Sequence, residues 1–344
     1  MSPTGTAPEA PVTVVAVRGL GEVVAGDDLA ATLCAAADLR DGDVLVVTSK
    51  VVSKAEGLVR RTGKAAAVAT ETDRVLARRG DTAIVRNLQG LVMAGAGVDA
   101  SNTEPGTVVL LPRDPDGSAR RIREAVAELS GRNVAVVVSD TCGRAWRTGQ
   151  VDIAVGAAGL EVVHDYVGRV DSYGNPLAVT VAAVADELAS AADLVKGKLA
   201  GCPAAVVRGL GPLVLPAGRH GPGAQSLIRE EADDMFGYGA RDAVAHALRE
   251  SPEDLRGFGR ACGAEELAAA LGELAAGSGV AVLAGGAVEV ALPPVIDVAS
   301  ARRAGRLEAR LTARAFACGW VRDAGARVPD GHGTLRFRPG TSLD

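Results

Sequence analysis

Residues 134–138 read Val-Ala-Val-Val-Val, an apolar run with no polar position on either side of the pleat. A strand alternates its side chains between two faces, so such a run cannot leave one face in water. It needs cover on both, and the flanking sequence offers candidates. Residues 44–47 repeat the pattern after the turn signal Asp41-Gly42-Asp43, and residues 12–17 and 204–207 are further strand-like runs. Helices are expected at 27–37, 65–79, 119–129 and 184–199. The third follows the turn Asp114-Pro115-Asp116-Gly117-Ser118, with Ser118 as the expected cap, and is closed by Gly131. Residues 83–86, 91–94 and 108–111 lie close enough for local antiparallel pairing, and 160–163 and 177–182 are two more strand candidates. The expected class is mixed α/β (α+β).

A chain of 344 residues carries a prior of two domains. The texture changes after Ser251-Pro252: residues 251–276 are rich in Ala, Glu and Leu, 280–283 and 288–292 suggest a hairpin, 301–317 a helix and 334–338 a last strand. The expected division is a tail at 1–10, a main domain at 11–245 and a small α+β C-terminal domain at 251–344. No metal, nucleotide or nucleophile signature falls in that last part.

No apolar run reaches the ~18 residues of a membrane span, and the first ten residues lack the pattern of a secretory signal. The cysteines, Cys34, Cys142, Cys202, Cys262 and Cys318, are scattered and form no CxxC, which suits a reducing cytoplasm. The net charge is −5, so neither nucleic acid nor an anionic membrane is an expected partner. Of 37 basic residues only five are lysines: Lys50, Lys54, Lys64, Lys196 and Lys198. A compact, flexible cation that persists where arginine is favoured is a candidate for a role arginine cannot fill, although ordinary solvated lysines fit as well.

P-loop, HExxH and GxSxG motifs are absent, and Gly95-Ala96-Gly97-Val98-Asp99-Ala100 matches GxGxxA without opening a helix. Three segments remain. Ser139-Asp140-Thr141-Cys142-Gly143-Arg144 follows the apolar run, at the strand end where α/β sheets place ligands. Asp and Thr oxygens suit a hard cation carrying phosphate; a strand-end turn with an Asp cap fits equally. Gly97-Val98-Asp99-Ala100-Ser101-Asn102 could bring a second carboxylate, or be an Asx-turn loop. Thr48-Ser49-Lys50, with Lys54 one helical turn on, would put two cations on one face for a triphosphate, or begin a solvated helix. Asp186 and Glu187 suit the dipole of the helix they open. The four histidines have no partner at metal-ligand spacing.

These segments come in a telling order: Gly26-Asp27-Asp28-Leu29, Asp41-Gly42-Asp43-Val44, Ser49-Lys50-Val51-Val52-Ser53-Lys54-Ala55-Glu56-Gly57, Gly97 to Asn102, Asp114 to Ser118, Ser139-Asp140-Thr141 through Arg144, Tyr173-Gly174, Ala185-Asp186-Glu187 and Val206-Val207-Arg208-Gly209-Leu210. From residue 12 to about 240 the chain resembles the coenzyme F-420:L-glutamate ligases (CofE type, and the N-terminal half of the FbiB type). The resemblance implies a CofE-like ligase fold, an intertwined homodimer, and a GTP-dependent amide ligase using Mg2+ or Mn2+, with potassium as a further cation. Such an enzyme phosphorylates the terminal carboxylate of the deazaflavin coenzyme precursor, and L-glutamate displaces the phosphate; repeated rounds build a γ-linked tail. By the same resemblance Leu20, Gly21, Glu22, Val23, Ser49, Lys50, Lys54 and Asn102 contact the nucleotide, and Asp99, Asp140 and Thr141 bind metal. Asp140, Arg144 and Lys54 are the expected catalytic residues. Lys198 stands where archaeal members carry an acidic metal ligand, so either a second metal has fewer protein ligands here or Lys198 neutralises phosphate. Residues 251–344 do not match the flavin-binding domain of the FbiB type, and no flavin-dependent activity is expected. Two other readings stay open: a non-catalytic GTP- and metal-binding regulatory module, and a GTP-dependent phosphotransferase that leaves a stable phosphorylated product.

Overall fold

In the computed structural model, which describes residues 11–275, 279–323 and 333–340, the run at 134–138 is wholly buried. Val134, Val136 and Val138 enter one core and Ala135 and Val137 another, the two-sided burial that its composition requires. In chain order the first elements are β1 (Thr13–Val17), α1 (Leu29–Ala36), β2 (Val44–Thr48), α2 (Ser49–Ala55), β3 (Val59–Arg61), α3 (Lys64–Glu71), β4 (Thr72–Arg79), β5 (Thr82–Asn87), β6 (Val92–Ala94) and β7 (Thr107–Val109). Then come α4 (Pro115–Ser130), β8 (Ala135–Gly143), β9 (Gln150–Ala158), β10 (His164–Asp165), β11 (Val181–Ala182), α5 (Val184–Lys196) and β12 (Ala204–Arg208). The main sheet has the order β1-β12-β2-β8-β9. Only β2 and β8 run parallel, and the other pairs are antiparallel. Helices α1 and α4 pack on one face through Leu33, Ala119 and Val126, and α5 packs on the other through Leu188, Ala189 and Ala192. The class is mixed α/β, as expected.

Several expectations change in detail. The helix expected at 65–79 ends at Glu71, and the chain turns into β4. Gly80, at φ +56°, makes the bend into β5 that a continuing helix would forbid. Strand β7 pairs with β3 and not with β6. Helix α4 starts at Pro115, and its cap is Asp114, whose carboxylate accepts from the Gly117 N–H, not Ser118. The strand expected at 160–163 is replaced by β9, immediately before it. Its sequence, QVDIAVGAA, is small because α4 lies against it: a Cβ on Gly156 would sit 2.3 Å from the Pro115 carbonyl oxygen.

The described chain forms two units. Residues up to Val75 and Ile84–Ile228 make the first; Leu76–Ala83 and the residues from Arg229 on make the second. The expected boundary at 245–251 therefore moves to 228/229, and the β4–β5 tip joins the second unit, where the Gly239 N–H donates to the Leu76 carbonyl at 2.8 Å. That unit contains α6 (Ala240–Arg249), α7 (Ala264–Ala275), β13 (Val280–Val282), β14 (Val288–Ala291), α8 (Val298–Ala317), β15 (Trp320–Arg322) and β16 (Thr334–Pro339). Its antiparallel sheet, β13-β14-β16-β15, closes a core of Leu267, Leu271, Val288, Val290, Leu311 and Phe337. The hairpin at 280–283 and 288–292 and the last strand are present as expected. The 251–276 helix splits into a short turn at Pro252–Phe258 and α7. Residue 276 and the expected tail at 1–10 lie outside the described residues.

The Gly156 contact gives a test of α4 packing. Gly156→Ala forces Pro115 and its carbonyl away, and we expect a loss of about 1–3 kcal/mol in urea unfolding. An unchanged midpoint would mean that α4 does not need this approach.

Candidate functional site

Strands β2 and β8 run side by side as far as the pair Thr48–Ser139; there β2 gives way to α2, while β8 continues to Gly143 paired with β9, so Asp140 and Thr141 lie within the strand and not, as expected, in a turn past its end. The carboxyl end of β2 is the edge where an open α/β sheet holds its ligands. A cleft of about 680 Å³ opens there, within the first unit.

One wall is α2. Lys50 and Lys54 are one turn apart and reach the 97–102 loop together. The Lys50 ammonium lies 2.6 Å from Asp99 Oδ2 and donates to the backbone carbonyl and hydroxyl of Ser101, each at 2.9 Å. Lys54 Nζ pairs with Glu22 Oε1 at 2.5 Å and donates to the Asn102 carbonyl at 3.3 Å. The loop is held in two unusual conformations, Ala96 at φ +56° and Asn102 at φ +51°. Burial pushes the Asp99 carboxyl up, but the bonds from Lys50 and Ser101 outweigh it, so its pKa lies below the ordinary carboxylate value.

The floor is the end of β8. Burial raises the Asp140 carboxyl to about 6; the Thr141 N–H and the Ser49 hydroxyl pull the other way, and the charges of Asp152 and Asp99 add to the rise. Among the described residues no cationic side chain pairs with Asp140. Beside it, Asp152 of β9 is buried and fully engaged. Its Oδ2 takes the Lys196 ammonium at 2.8 Å and the Ser139 hydroxyl at 3.0 Å, and its Oδ1 takes the Thr141 hydroxyl at 3.0 Å. Lys198 Nζ donates to Thr141 Oγ1 at 2.6 Å.

The cleft thus gathers Gly21, Glu22, Val23, Lys50, Lys54, Asp99, Asn102, Asp140 and Thr141, all expected from sequence, with Ser49 just behind Asp140. Leu20 packs at the edge of the core instead of lining the cleft. Arg144 lies exposed on the β8–β9 turn, with Nη2 donating to the Thr148 carbonyl at 3.4 Å, and is not brought to the cleft wall. Asp186 points into the sheet, where it accepts from the Ala154 N–H at 2.9 Å, and burial raises its pKa. Sequence reasoning missed Asp152 and Asp193. The scarcity of lysine was the better signal: all five lysines of the chain line this cleft, and no arginine does.

The donor set admits a hard divalent cation in one form. Among the described residues no three His, Cys, Asp or Glu side chains converge on a metal position, so the protein offers no complete cage. Asp140 is an uncompensated carboxylate, and Asp99 and the Thr141 hydroxyl are its oxygen neighbours in the cleft. One or two carboxylates plus phosphate oxygens and water is the way Mg2+ is usually held, so the residues fit a cation that arrives with a phosphorylated ligand. No described helix is long and apolar enough to cross a membrane.

Fold and cleft together define a mixed α/β domain with an open cleft lined by lysines and acids in equal number. Comparison with known proteins is more specific. Residues 19–209 match the family model F420-0:Gamma-glutamyl ligase. The coenzyme F420:L-glutamate ligase of Archaeoglobus fulgidus is 43% identical over 247 residues, 65% of this chain and 96% of that protein. Those of Methanothermobacter thermautotrophicus and Methanopyrus kandleri are 39% and 41% identical, over 65% and 61% of this chain and 98% and 92% of theirs. The chain belongs to the F420-0:gamma-glutamyl ligase family.

Two substitutions should act on stability in opposite directions. Asp140 has a folded pKa above its unfolded value, so its ionised form weakens the fold; the penalty is absent below about pH 4, grows towards pH 6 and is constant above. Asp140→Asn should therefore raise stability in metal-free buffer at pH 7.5, by up to about 3 kcal/mol, with the gain vanishing near pH 4. A gain independent of pH would count against this account. Lys196→Met leaves Asp152 buried without its cation and should cost about 3–5 kcal/mol in the same unfolding assay.

Proposed function

We propose that the protein is a GTP-dependent ligase that adds L-glutamate, through its α-amine, to the terminal carboxylate of the deazaflavin coenzyme F-420 precursor, and that further rounds build a γ-linked tail. The observation that carries this reading is the gathering of every lysine in the chain around Asp99, Asp140 and Asp152. Such a site suits the binding and transfer of phosphate, and the named activity of the relatives supplies the acceptor and the amine.

The chemistry asks for charge control and alignment more than for a nucleophilic side chain. The acceptor carboxylate oxygen bonds to the γ-phosphorus of GTP while the bond from that phosphorus to the β–γ bridging oxygen breaks and GDP leaves. The glutamate amine then attacks the acyl carbon, the bond from that carbon to the phosphate oxygen breaks, phosphate leaves, and the nitrogen gives up its surplus protons. Asp99, Asp140 and Thr141 would hold the Mg2+ or Mn2+ that comes with the nucleotide; such an ion neutralises the triphosphate and draws electron density from the transferring phosphorus. Lys50 and Lys54 take phosphate oxygens in exchange for their carboxylates. Lys198, beside Thr141, adds a cation at the same end of the cleft. Gly21 to Val23 bring backbone groups to the nucleotide. By the family resemblance the protein would act as a homodimer. Potassium would be a further cation by the same resemblance.

Mass spectrometry of one reaction tests this. Purified protein, GTP, Mn2+ or Mg2+, L-glutamate and the unglutamylated precursor should give stepwise gains of glutamyl units matched by GDP and phosphate. GTP binding without a mass gain would favour a regulatory module, and a stable phosphorylated precursor would favour a phosphotransferase. Asp140→Ala should abolish GTP turnover in a folded protein; wild-type turnover would remove Asp140 from the centre of the reaction.

A further inference from the structure

Helix α8 of the second unit carries Arg302, Arg303, Arg306, Arg310 and Arg314, all exposed. At about 100° per residue these five fall within an arc of ~120° and extend ~18 Å along the axis. The lone acidic residue of the helix, Glu308, lies outside the arc and is taken by Arg322 at 2.7 Å. Among the described residues none of the five guanidinium groups has an ion pair or hydrogen bond. A chain with net charge −5 thus presents an uncompensated row of five positive charges on one helix face. The opposite face packs through Ala304, Leu311, Ala315 and Phe316, so the fold explains the helix but not its outer row.

We infer that this row binds an oligo-γ-glutamyl chain, the tail of the product, an assignment that rests on the ligase reading given above. The argument is one of charge and repeat. Three backbone bonds advance an extended α-linked residue by ~3.6 Å, about 1.2 Å each. Five bonds separate successive γ-linked residues, so their free α-carboxylates recur every ~6 Å. Arg302, Arg306, Arg310 and Arg314 are four residues apart, which on a helix is ~6 Å along the axis with a turn of ~40° at each step, a shallow winding that long arginine side chains can follow. The row therefore accepts three to four successive carboxylates in step, each meeting a planar fork suited to it. The match to the family model ends at residue 209, so the row lies beyond that match.

The test is direct binding to the full-length protein. Fluorescein-labelled γ-linked tetraglutamate, titrated by fluorescence anisotropy at low salt, should bind more tightly than α-linked tetraglutamate of the same charge, and both should weaken as salt rises. Arg306→Glu/Arg310→Glu, two exposed changes on the outer face, should lower the affinity for the γ-linked probe roughly tenfold with the circular dichroism spectrum and melting temperature retained. Equal affinity for the two linkages, or no loss in the double variant, would overturn the proposal. So would tighter binding to a single-stranded RNA of similar charge, which would make the row a nucleic-acid contact. The double variant should still add the first glutamate to the precursor at the wild-type rate, since the bare precursor has no tail to hold. Loss of that first addition in a folded variant would also overturn it. A wild-type protein that binds the probe but incorporates no glutamate would instead refute the ligase reading.

Discussion

The ion pair between Lys196 and Asp152 organises the floor of the cleft. It joins the last turn of α5 to β9, and through the Ser139 and Thr141 hydroxyls it engages both sides of Asp140 on β8. Buried ion pairs add little net stability compared with apolar packing, yet breaking one strands a charge. Their value is in specification: held by Lys196, Ser139 and Thr141, Asp152 fixes the Thr141 hydroxyl, and Asp140 is left without a cationic partner among the described residues. That division of labour between two acids a few ångströms apart in register gives the floor its chemical character.

How much of this was legible beforehand follows from where the information resides. The run at 134–138 declared its two-sided burial because alternation is a local property, and the order of glycines, acids and lysines announced the family. Strand β9 was silent for a physical reason. Its alanines and Gly156 answer to the approach of α4, which is a tertiary demand, and they carry weak strand propensity of their own. Residues 72–79 were misread because an Ala/Arg-rich run suits a helix until a glycine at positive φ turns it back on itself. Asp152 could not be found at all: its partner is 44 positions away, and nothing in the sequence around it differs from a surface acid.

The electrostatics of the cleft rest on paired lysines and acids. Lys50 and Lys54 each have a carboxylate, in Asp99 and Glu22, which offsets their charge and ties α2 to the 97–102 loop and to Glu22. In the proposed reaction a triphosphate would be a better partner for those ammonium groups than a single carboxylate, and a cation arriving with it would take over the oxygens of Asp99. Binding then becomes a change of partners, with less charge left to desolvate than in a site of bare lysines.

If the proposed exchange takes place, it accounts for the persistence of lysine here in a chain that otherwise uses arginine. A guanidinium facing Asp99 or Glu22 would engage it with a two-pronged, planar grip, which is harder to release and which fixes the carboxylate in one orientation. An ammonium is a point charge on a rotatable stem; it can leave a carboxylate for a phosphate by turning a few bonds, and it fits beside a metal ion without demanding a plane of its own. On the outer face of α8 the requirement is reversed. There the charges stand in water and have no built-in partners to trade, and arginine, with its weaker hydration and fixed fork, is the better residue for holding carboxylates that come from outside. On the two proposals made above, the separation of lysine and arginine between cleft and helix would follow from what each surface has to do.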